Sequence, residues 1–267
     1  MDESVRLSRR RFLKVGCRTL LGGLLAGVAS ALYAGLAEPN WLRIMRTTVT
    51  IPALPKALAG LKIGQLSDLH VESELDMALV KEAVRLLNAE SPDLVVFTGD
   101  FVTGDATYSI PAAEALANVR ASHGVYAVLG NHDVWTDADR IADALTGADI
   151  SVLRDERRRL LVNGVPLWLL GIEDRGHTGF SSPGDLGDFG AFQHYWQDAE
   201  SVLADLLAEI PSSDSRLLLV HNPDFVEMLP SGPIDLALSG HTHGGQVRVP
   251  FLEIGRASCR ERVCVGV

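Results

Sequence analysis

Short apolar runs alternate with longer amphipathic segments through the first half of the chain. The apolar runs predict strands at residues 61–66, 93–97 and 124–129, and the amphipathic segments predict helices at 74–89, 110–119 and 137–145. The run at 93–97 is almost continuously apolar, which is typical of a strand covered on both faces. One face of the first helix is predicted to pack against the core and carries Leu75, Leu79, Ala83 and Leu86.

The second half of the pattern opens differently, with strands that follow one another directly. Apolar runs predict strands at residues 151–153, 159–162, 165–172, 216–220 and 234–238, and a helix at 192–210. Asn163-Gly164 predicts a tight hairpin turn between the second and third of these strands. Residues 173–190 are rich in Gly, Ser, Pro and Asp and predict a loop over the site, in which His177 is interpreted as a solvated residue. Alternating strands and helices followed by paired strands predict an α/β fold.

Composition narrows the class of protein. A chain of 267 residues with 47% hydrophobic content can bury a sizeable core in one domain. Its net charge of −10 argues against nucleic acid as a partner, because phosphate backbones require a basic face. A small phosphorylated substrate stays compatible, since a bound cation can supply positive charge locally. The three cysteines lie at positions 17, 259 and 264, so residues 18–258 hold no disulfide, thiolate ligand or cysteine nucleophile.

The N-terminus predicts export. Residues 8–14, S-R-R-R-F-L-K, resemble the twin-arginine signal S-R-R-x-F-L-K, and an uncharged stretch follows at 19–37. Residues 1–37 are therefore interpreted as a twin-arginine signal peptide or an N-terminal anchor, with the twin-arginine translocase as the partner during export. The expected location is the periplasm or cell envelope, or the inner membrane with residues 19–37 as a tether. Residues 38–57 are interpreted as a linker with an edge strand.

Metal-binding residue types follow the predicted strands. They are Asp68, His70, Asp100, Asn131, His132, His221, His241 and His243. Strand ends in an α/β fold gather at one edge, and that edge binds ligands. Each block alone has an ordinary alternative, such as a polar turn at 240–246 or a helix cap at Asp100. Mixed nitrogen and oxygen ligands without thiolate suit Mn, Fe, Zn or Mg.

The blocks D-x-H, G-D, G-N-H-D, H and G-H-T-H, in this order, resemble those of the calcineurin-like metallophosphoesterases. G-H-T-H-G-G-Q and H-N-P-D further resemble the bacterial exported phosphodiesterase branch, which includes hydrolases of UDP-2,3-diacylglucosamine. The resemblance implies a four-layer α/β/β/α sandwich of two mixed sheets flanked by helices, with the domain at residues 58–251.

The resemblance also implies roles for individual residues. The first of two metal ions would be held by Asp68, His70 and His243, and the second by Asn131, His221 and His241. Asp100 would bridge both ions, His132 would protonate the leaving oxygen or stabilise phosphoryl charge, and Asp133 would orient a neighbour.

The implied reaction is phosphodiester or pyrophosphate hydrolysis by in-line attack of a hydroxide bridging both ions. The substrate would be a small phosphorylated or nucleotide-lipid molecule such as UDP-2,3-diacylglucosamine. The alternative is an inactive metal-binding or phospholigand-binding envelope module. The presence of His132, which an inactive relative could lose, favours the enzyme. A structural envelope protein is the third interpretation.

The last segment departs from the family pattern. Residues 253–263 resemble the conceptual translation of a sequencing-library adapter. Residues 252–267 are therefore expected to be an artefactual or truncated tail, with a natural basic tail as the alternative. All predicted metal ligands precede this segment.

Overall fold

The structure is a computed structural model that describes residues 9–33, 42–52, 54–175, 189–229, 234–242, 247–248, 255–256 and 264–266. It divides into two units, Met1–Trp41 and Leu42–Val267. The described part of the first unit contains helix α1, Arg9–Leu32. Its stretch Leu13–Ser30 is long and apolar enough to cross a membrane, a property that signal sequences share.

The first sheet of the second unit carries the alternating strands and helices. Its strands are β1 (Met45–Thr47), β2 (Ile63–Leu66), β3 (Leu94–Phe97), β4 (Val125–Ala127), β5 (Ser151–Val152) and β12 (Cys264–Gly266), in the order β1-β12-β2-β3-β4-β5. Strands β2 to β5 are parallel, and β12 runs antiparallel to β2. The connecting helices are α2 (Glu74–Ala89), α3 (Ser109–Leu116) and α4 (Asn131–Gly147). The parallel run sends the ends of β2, β3 and β4 to one edge.

The second sheet contains the directly paired strands. It has the order β6 (Glu156–Val162), β7 (Val165–Ile172), β8 (Ser215–Val220) and β9 (Leu236–Leu238). The β6–β7 hairpin closes at Asn163 and Gly164, whose φ angles of 48° and 84° fit the predicted tight turn. Strands β7, β8 and β9 are parallel, so this sheet is mixed. Helices α5 (Phe189–Leu207) and α6 (Asp224–Met228) pack against one face of this sheet. Strands β10 (Val247–Arg248) and β11 (Gly255–Arg256) form a separate two-stranded sheet.

The side chains of each buried strand divide between two cores. In β3, Val95 and Phe97 pack with helices α2, α3 and α4, whereas Leu94 and Val96 pack with the second sheet. In β8, the odd-numbered leucines Leu217 and Leu219 face the first sheet, and the even-numbered residues face α5 and α6. Because strand side chains alternate in direction, three stacked cores require four layers. The predicted α/β/β/α sandwich of two sheets flanked by helices is confirmed.

Helix α2 spans the predicted residues, but of the predicted core face only Ala83 is buried. Leu75 is 57% exposed, and the buried apolar face consists of Ala83 together with Met77, Val80, Val84 and Leu87. Both stripes have helical spacing and are apolar, so the pattern alone could not tell which one meets the sheet. Contact with β2 determines which face of the helix is buried, because Gly64 in β2 has no side chain at the point where Leu87 approaches. A Cβ on Gly64 would lie 2.5 Å from Leu87 Cδ1.

Candidate metal centre

The loops that leave the strands contain left-handed backbone at the predicted site residues. Asp68, His70, Asp100 and His241 have φ angles of 55°, 44°, 57° and 68°. Such angles cost a non-glycine residue about 1–3 kcal/mol and persist where the surroundings fix them, which is common at functional sites. Two backbone hydrogen bonds fix the first loop against the second, from Asp68 N–H to Gly99 O at 2.9 Å and from His70 N–H to Asp100 O at 3.0 Å.

The glycines in the motifs allow these loops to touch. A Cβ on Gly130 would lie 2.2 Å from Asp100 Oδ1, and one on Gly240 would lie 2.0 Å from Ser67 Oγ. Gly99 has a φ of 95° and packs directly against the backbone of Gly130. Glycine is therefore needed in the G-D, G-N-H-D and G-H-T-H blocks because the backbones approach more closely than any side chain permits.

Asp100, Asn131, His221 and His241 form a tight cluster. His221 Nε2 lies 3.2 Å from Asp100 Oδ2, 3.1 Å from Asn131 Oδ1 and 3.2 Å from His241 Nδ1. His241 Nδ1 also lies 3.0 Å from Asn131 Oδ1. The backbone carbonyl of Thr98 accepts a hydrogen bond from His221 Nδ1 at 2.6 Å, which places the proton of a neutral imidazole there. In that tautomer the His221 Nε2 lone pair faces three further potential acceptors, an arrangement that favours positive charge at this point, either a proton on Nε2 or a metal ion.

The ionisable groups of this cluster shift one another's pKa values. Burial lowers the pKa of His221, but the Asp100 carboxylate outweighs it and raises the pKa to about 10. Burial alone would raise the pKa of Asp100, yet His221, His70 and His132 hold it below its ordinary value. Burial and the neighbouring His221 lower the pKa of His241. The buried carboxylate is thus stabilised as an anion, and it favours positive charge beside it.

A second group of possible ligands meets the same Asp100 carboxylate. His70 Nε2 lies 3.6 Å from Asp100 Oδ2, while His70 Nδ1 lies 3.0 Å from Thr103 Oγ1. The His132 backbone N–H donates to Asp100 Oδ1 at 2.9 Å. The His132 ring packs edge-on against His70 with 4.7 Å between centroids. Ligand atoms of His70, Asp100 and His132 all lie within 4.8 Å of one another, as do those of Asp100, His221 and His241. Asp100 is therefore shared by two groups of possible metal ligands.

The donor set fits divalent or transition metal ions. Imidazole nitrogens and carboxylate or amide oxygens converge from several loops, and the Asp100 and His221 side chains are almost completely buried. Asp68 lies at the same site, because its carboxylate accepts the His241 N–H at 3.0 and 3.1 Å. His243 and His177 lie outside the described residues.

Helix α4 begins earlier than the sequence predicted, and this changes the setting of three site residues. The helix starts at Asn131 instead of residue 137, so Asn131, His132 and Asp133 occupy its first turn. The non-helical residue Asp137 separates this turn from the rest of the helix. The motif G-N-H-D is consequently a helix start, with Gly130 as the N-cap.

Asp133 holds the start of α4 against the loop after β3. One carboxylate oxygen accepts the N–H groups of Gly130 and Asp100 at 2.9 and 2.8 Å, and the other accepts those of Phe101 and Val102 at 2.8 and 3.3 Å. Burial and the nearby Asp100 carboxylate raise the pKa of Asp133 to about 7, although the N–H groups oppose this. Asp133 therefore positions the backbone of two motifs at once.

Replacing Asp133 with asparagine should destabilise the protein by about 3 kcal/mol, because one acceptor becomes a donor facing buried N–H groups. Denaturant unfolding of the variant measures this change. Asp143→Asn, which alters an exposed residue of the same helix, is the control and should change stability by less than about 0.5 kcal/mol. An equally small change for Asp133→Asn would contradict the positioning role.

Sequence reasoning missed several residues that support the site. Gln65 Nε2 donates to Thr98 Oγ1 and to the Ser239 carbonyl, both at 2.8 Å, and so joins the ends of β2, β3 and β9. A polar residue within the short apolar strand β2 was the available signal. Asp174 is buried and close enough to His221 to raise its pKa. Its position within the predicted loop at 173–190 gave no signal, and neither did that of Thr103.

Comparisons with known proteins agree with this geometry. Residues 61–245 match the family model described as calcineurin-like phosphoesterase. The chain is 30% identical to the uncharacterized metallophosphoesterase YkuE of Bacillus subtilis, covering 92% of this chain and 80% of that protein. It is also 30% identical to the UDP-2,3-diacylglucosamine pyrophosphatase LpxG of Chlamydia trachomatis, covering 90% and 81%. Identity to phosphodiesterase YaeI of Escherichia coli is 30%, covering 92% and 81%.

Proposed function

The chain belongs to the calcineurin-like phosphoesterase family, and we propose that it is a hydrolase of phosphodiesters or pyrophosphates that depends on two metal ions. The observation that carries this proposal is the sharing of buried Asp100 by two groups of ligands, one with His70 and one with His221 and His241. A carboxylate shared by two groups of ligand atoms is suited to bridging a pair of ions.

The residues divide into holding groups and reacting groups. Asp68, His70 and His243 would hold one ion, Asn131, His221 and His241 the other, and Asp100 both. When bound, such ions lower the pKa of water and neutralise charge on phosphoryl oxygens. His132 would donate a proton to the leaving oxygen, since its backbone is fixed to Asp100 while its side chain is only partly buried. Asp133 would hold the loop after β3 against the start of α4 by accepting backbone N–H groups from both.

The proposed substrate class follows from the relatives. LpxG is a UDP-2,3-diacylglucosamine pyrophosphatase and YaeI is a phosphodiesterase. A nucleotide-lipid pyrophosphate such as UDP-2,3-diacylglucosamine is therefore our proposed substrate, and a phosphodiester is the broader class. The proposed domain limits are residues 58–251, with the preceding segment serving export.

The test is an assay of metal-loaded protein against matched phosphomonoesters, phosphodiesters and nucleotide pyrophosphates. Hydrolysis of a diester or pyrophosphate that exceeds hydrolysis of the corresponding monoester would support the proposal. Metal-loaded protein that binds phosphorylated ligands but hydrolyses none of them would instead identify a binding module and overturn the proposed activity.

Export through the twin-arginine translocase is the second part of the proposal, with the envelope as the destination. Replacing both Arg9 and Arg10 with lysine should leave the protein in the cytoplasm, because the translocase receptor reads this arginine pair. Cell fractionation and immunoblotting measure the distribution. Arg18→Lys, in the same segment but outside the pair, should be exported normally. Normal export of the double variant would show that the pair is not the signal.

A further inference from the structure

Trp135 lies on the same helical turn as His132 and faces it. Residues three apart on a helix are neighbours, and the two rings are 4.9 Å apart between centroids with planes inclined at 59°. Asp137, with φ −174° and ψ 85°, interrupts the helix just after Trp135. The turn that carries both side chains is thus set apart from the body of α4 and belongs to the site.

The exposure of Trp135 is unusual for its size. Its side chain is 48% exposed, and among the residues from Leu42 onward whose burial the structure describes it is the one aromatic ring within the group of exposed large apolar side chains. Exposed tryptophan gains little from the fold for its uncovered area, whereas aromatic rings beside a few polar groups are typical linings of ligand sites. Because Trp135 lies beside His132, the candidate proton donor, its exposed ring is placed where part of a substrate could contact it.

The His132 ring contacts two other rings. It packs against His70, and the His132 backbone N–H donates to Asp100 Oδ1 at 2.9 Å, so His132 adjoins two of the proposed metal ligands. The same ring also contacts Trp135, with 4.9 Å between centroids. If His132 protonates the leaving oxygen, the leaving group lies beside His132, where the exposed ring of Trp135 is a neighbour.

We infer that Trp135 lines a leaving-group subsite that selects phosphodiesters whose departing oxygen is attached to an aromatic ring. This inference rests on the proposed function, because it requires phosphoester hydrolysis with His132 beside the leaving group. Trp135 would be a specificity-determining residue: its ring stacks on the leaving group and takes no part in proton transfer. A linear alkyl leaving group would gain little from the same surface.

The experiment compares two phosphodiesters that differ in their leaving groups, methyl p-nitrophenyl phosphate and methyl 2,2,2-trifluoroethyl phosphate. Trp135→Ala should lower kcat/KM for the nitrophenyl ester about 10-fold, the size of effect typical of aromatic stacking, and change the trifluoroethyl ester less than about twofold. Trp135→Phe keeps a ring and should retain most of the selectivity. Leu161→Ala, which removes another exposed apolar side chain, is the control and should change neither substrate.

The direction of the change separates stacking from indirect effects. If Trp135 only positions His132, Trp135→Ala will lower hydrolysis of the trifluoroethyl ester at least as much, because its alkoxide is the poorer leaving group and needs the proton more. That result, or unchanged selectivity in Trp135→Ala, would overturn the inference. Metal-loaded wild-type protein that hydrolyses nucleotide pyrophosphates but neither ester would overturn the subsite alone, and inactivity towards both classes would overturn the proposed function.

Discussion

Asp100→Ala is expected to reduce phosphoesterase activity by more than about 100-fold and to lower the bound metal below two ions per chain. Loss of a group that merely hydrogen-bonds to a metal ligand typically costs 10–100-fold in metal affinity or activity, and Asp100 would be a ligand to both ions. The structure adds a second reason, since the carboxylate also accepts the His132 N–H and lies beside His221 and His70. Activity and elemental analysis of the same preparation measure both effects.

The control for Asp100→Ala is Asp143→Ala, which removes an exposed carboxylate from α4 without touching the site. It should retain normal activity and metal content. An Asp100→Ala protein that still binds two ions per chain would show that Asp100 does not bridge them, whatever its activity.

His132→Ala is expected to lower turnover about 10²–10⁴-fold while both metal ions stay bound, which is the usual loss for a positioned general acid. The penalty should be smaller for nitrophenyl esters, whose leaving groups are acidic, and larger for alkyl esters, which need protonation. Steady-state kinetics on both substrate types, together with metal content, test this assignment. The comparison assumes that chemistry limits turnover, which pre-steady-state bursts would check.

The alternatives for His132 give different results. Equal slowing of both ester types would make it a stabiliser of phosphoryl charge. Loss of metal would make it a ligand, a possibility that its proximity to His70 and Asp100 makes worth testing. His123→Ala is the control, because His123 precedes β4 at the opposite edge of the sheet, and it should leave activity and metal unchanged.

The fold could be predicted largely from the apolar pattern. Strand β3 is a continuous apolar run and was located within one residue. The hairpin turn at Asn163-Gly164 has its own signal and was located directly, although β6 begins three residues before the predicted strand. The ligand-type residues could be collected because parallel strands deliver their ends to one edge. Of the described ones, Asp68, His70, Asp100, Asn131, His132, His221 and His241 all lie there.

Some features depend on tertiary contacts and could not be predicted from the apolar pattern of the sequence. Leu75 and Val80 both suit an apolar helix face, and only the position of β2 selects Val80 for the core. The start of α4 at Asn131 was missed because its cap depends on Asp133 accepting backbone N–H groups from the neighbouring loop as well as from Gly130. Trp135 carried no local signal, since its significance comes from its contact with His132.

The most direct test of the account is a titration of metal-free protein with Mn²⁺ or Zn²⁺ while diester hydrolysis is followed. The two ligand groups sharing Asp100 predict that activity is absent without metal, returns on addition and reaches its plateau at two equivalents per chain. The Asp100→Ala protein should show no such plateau. Full hydrolysis by the metal-free protein, or a plateau at one equivalent, would contradict the proposed two-metal site.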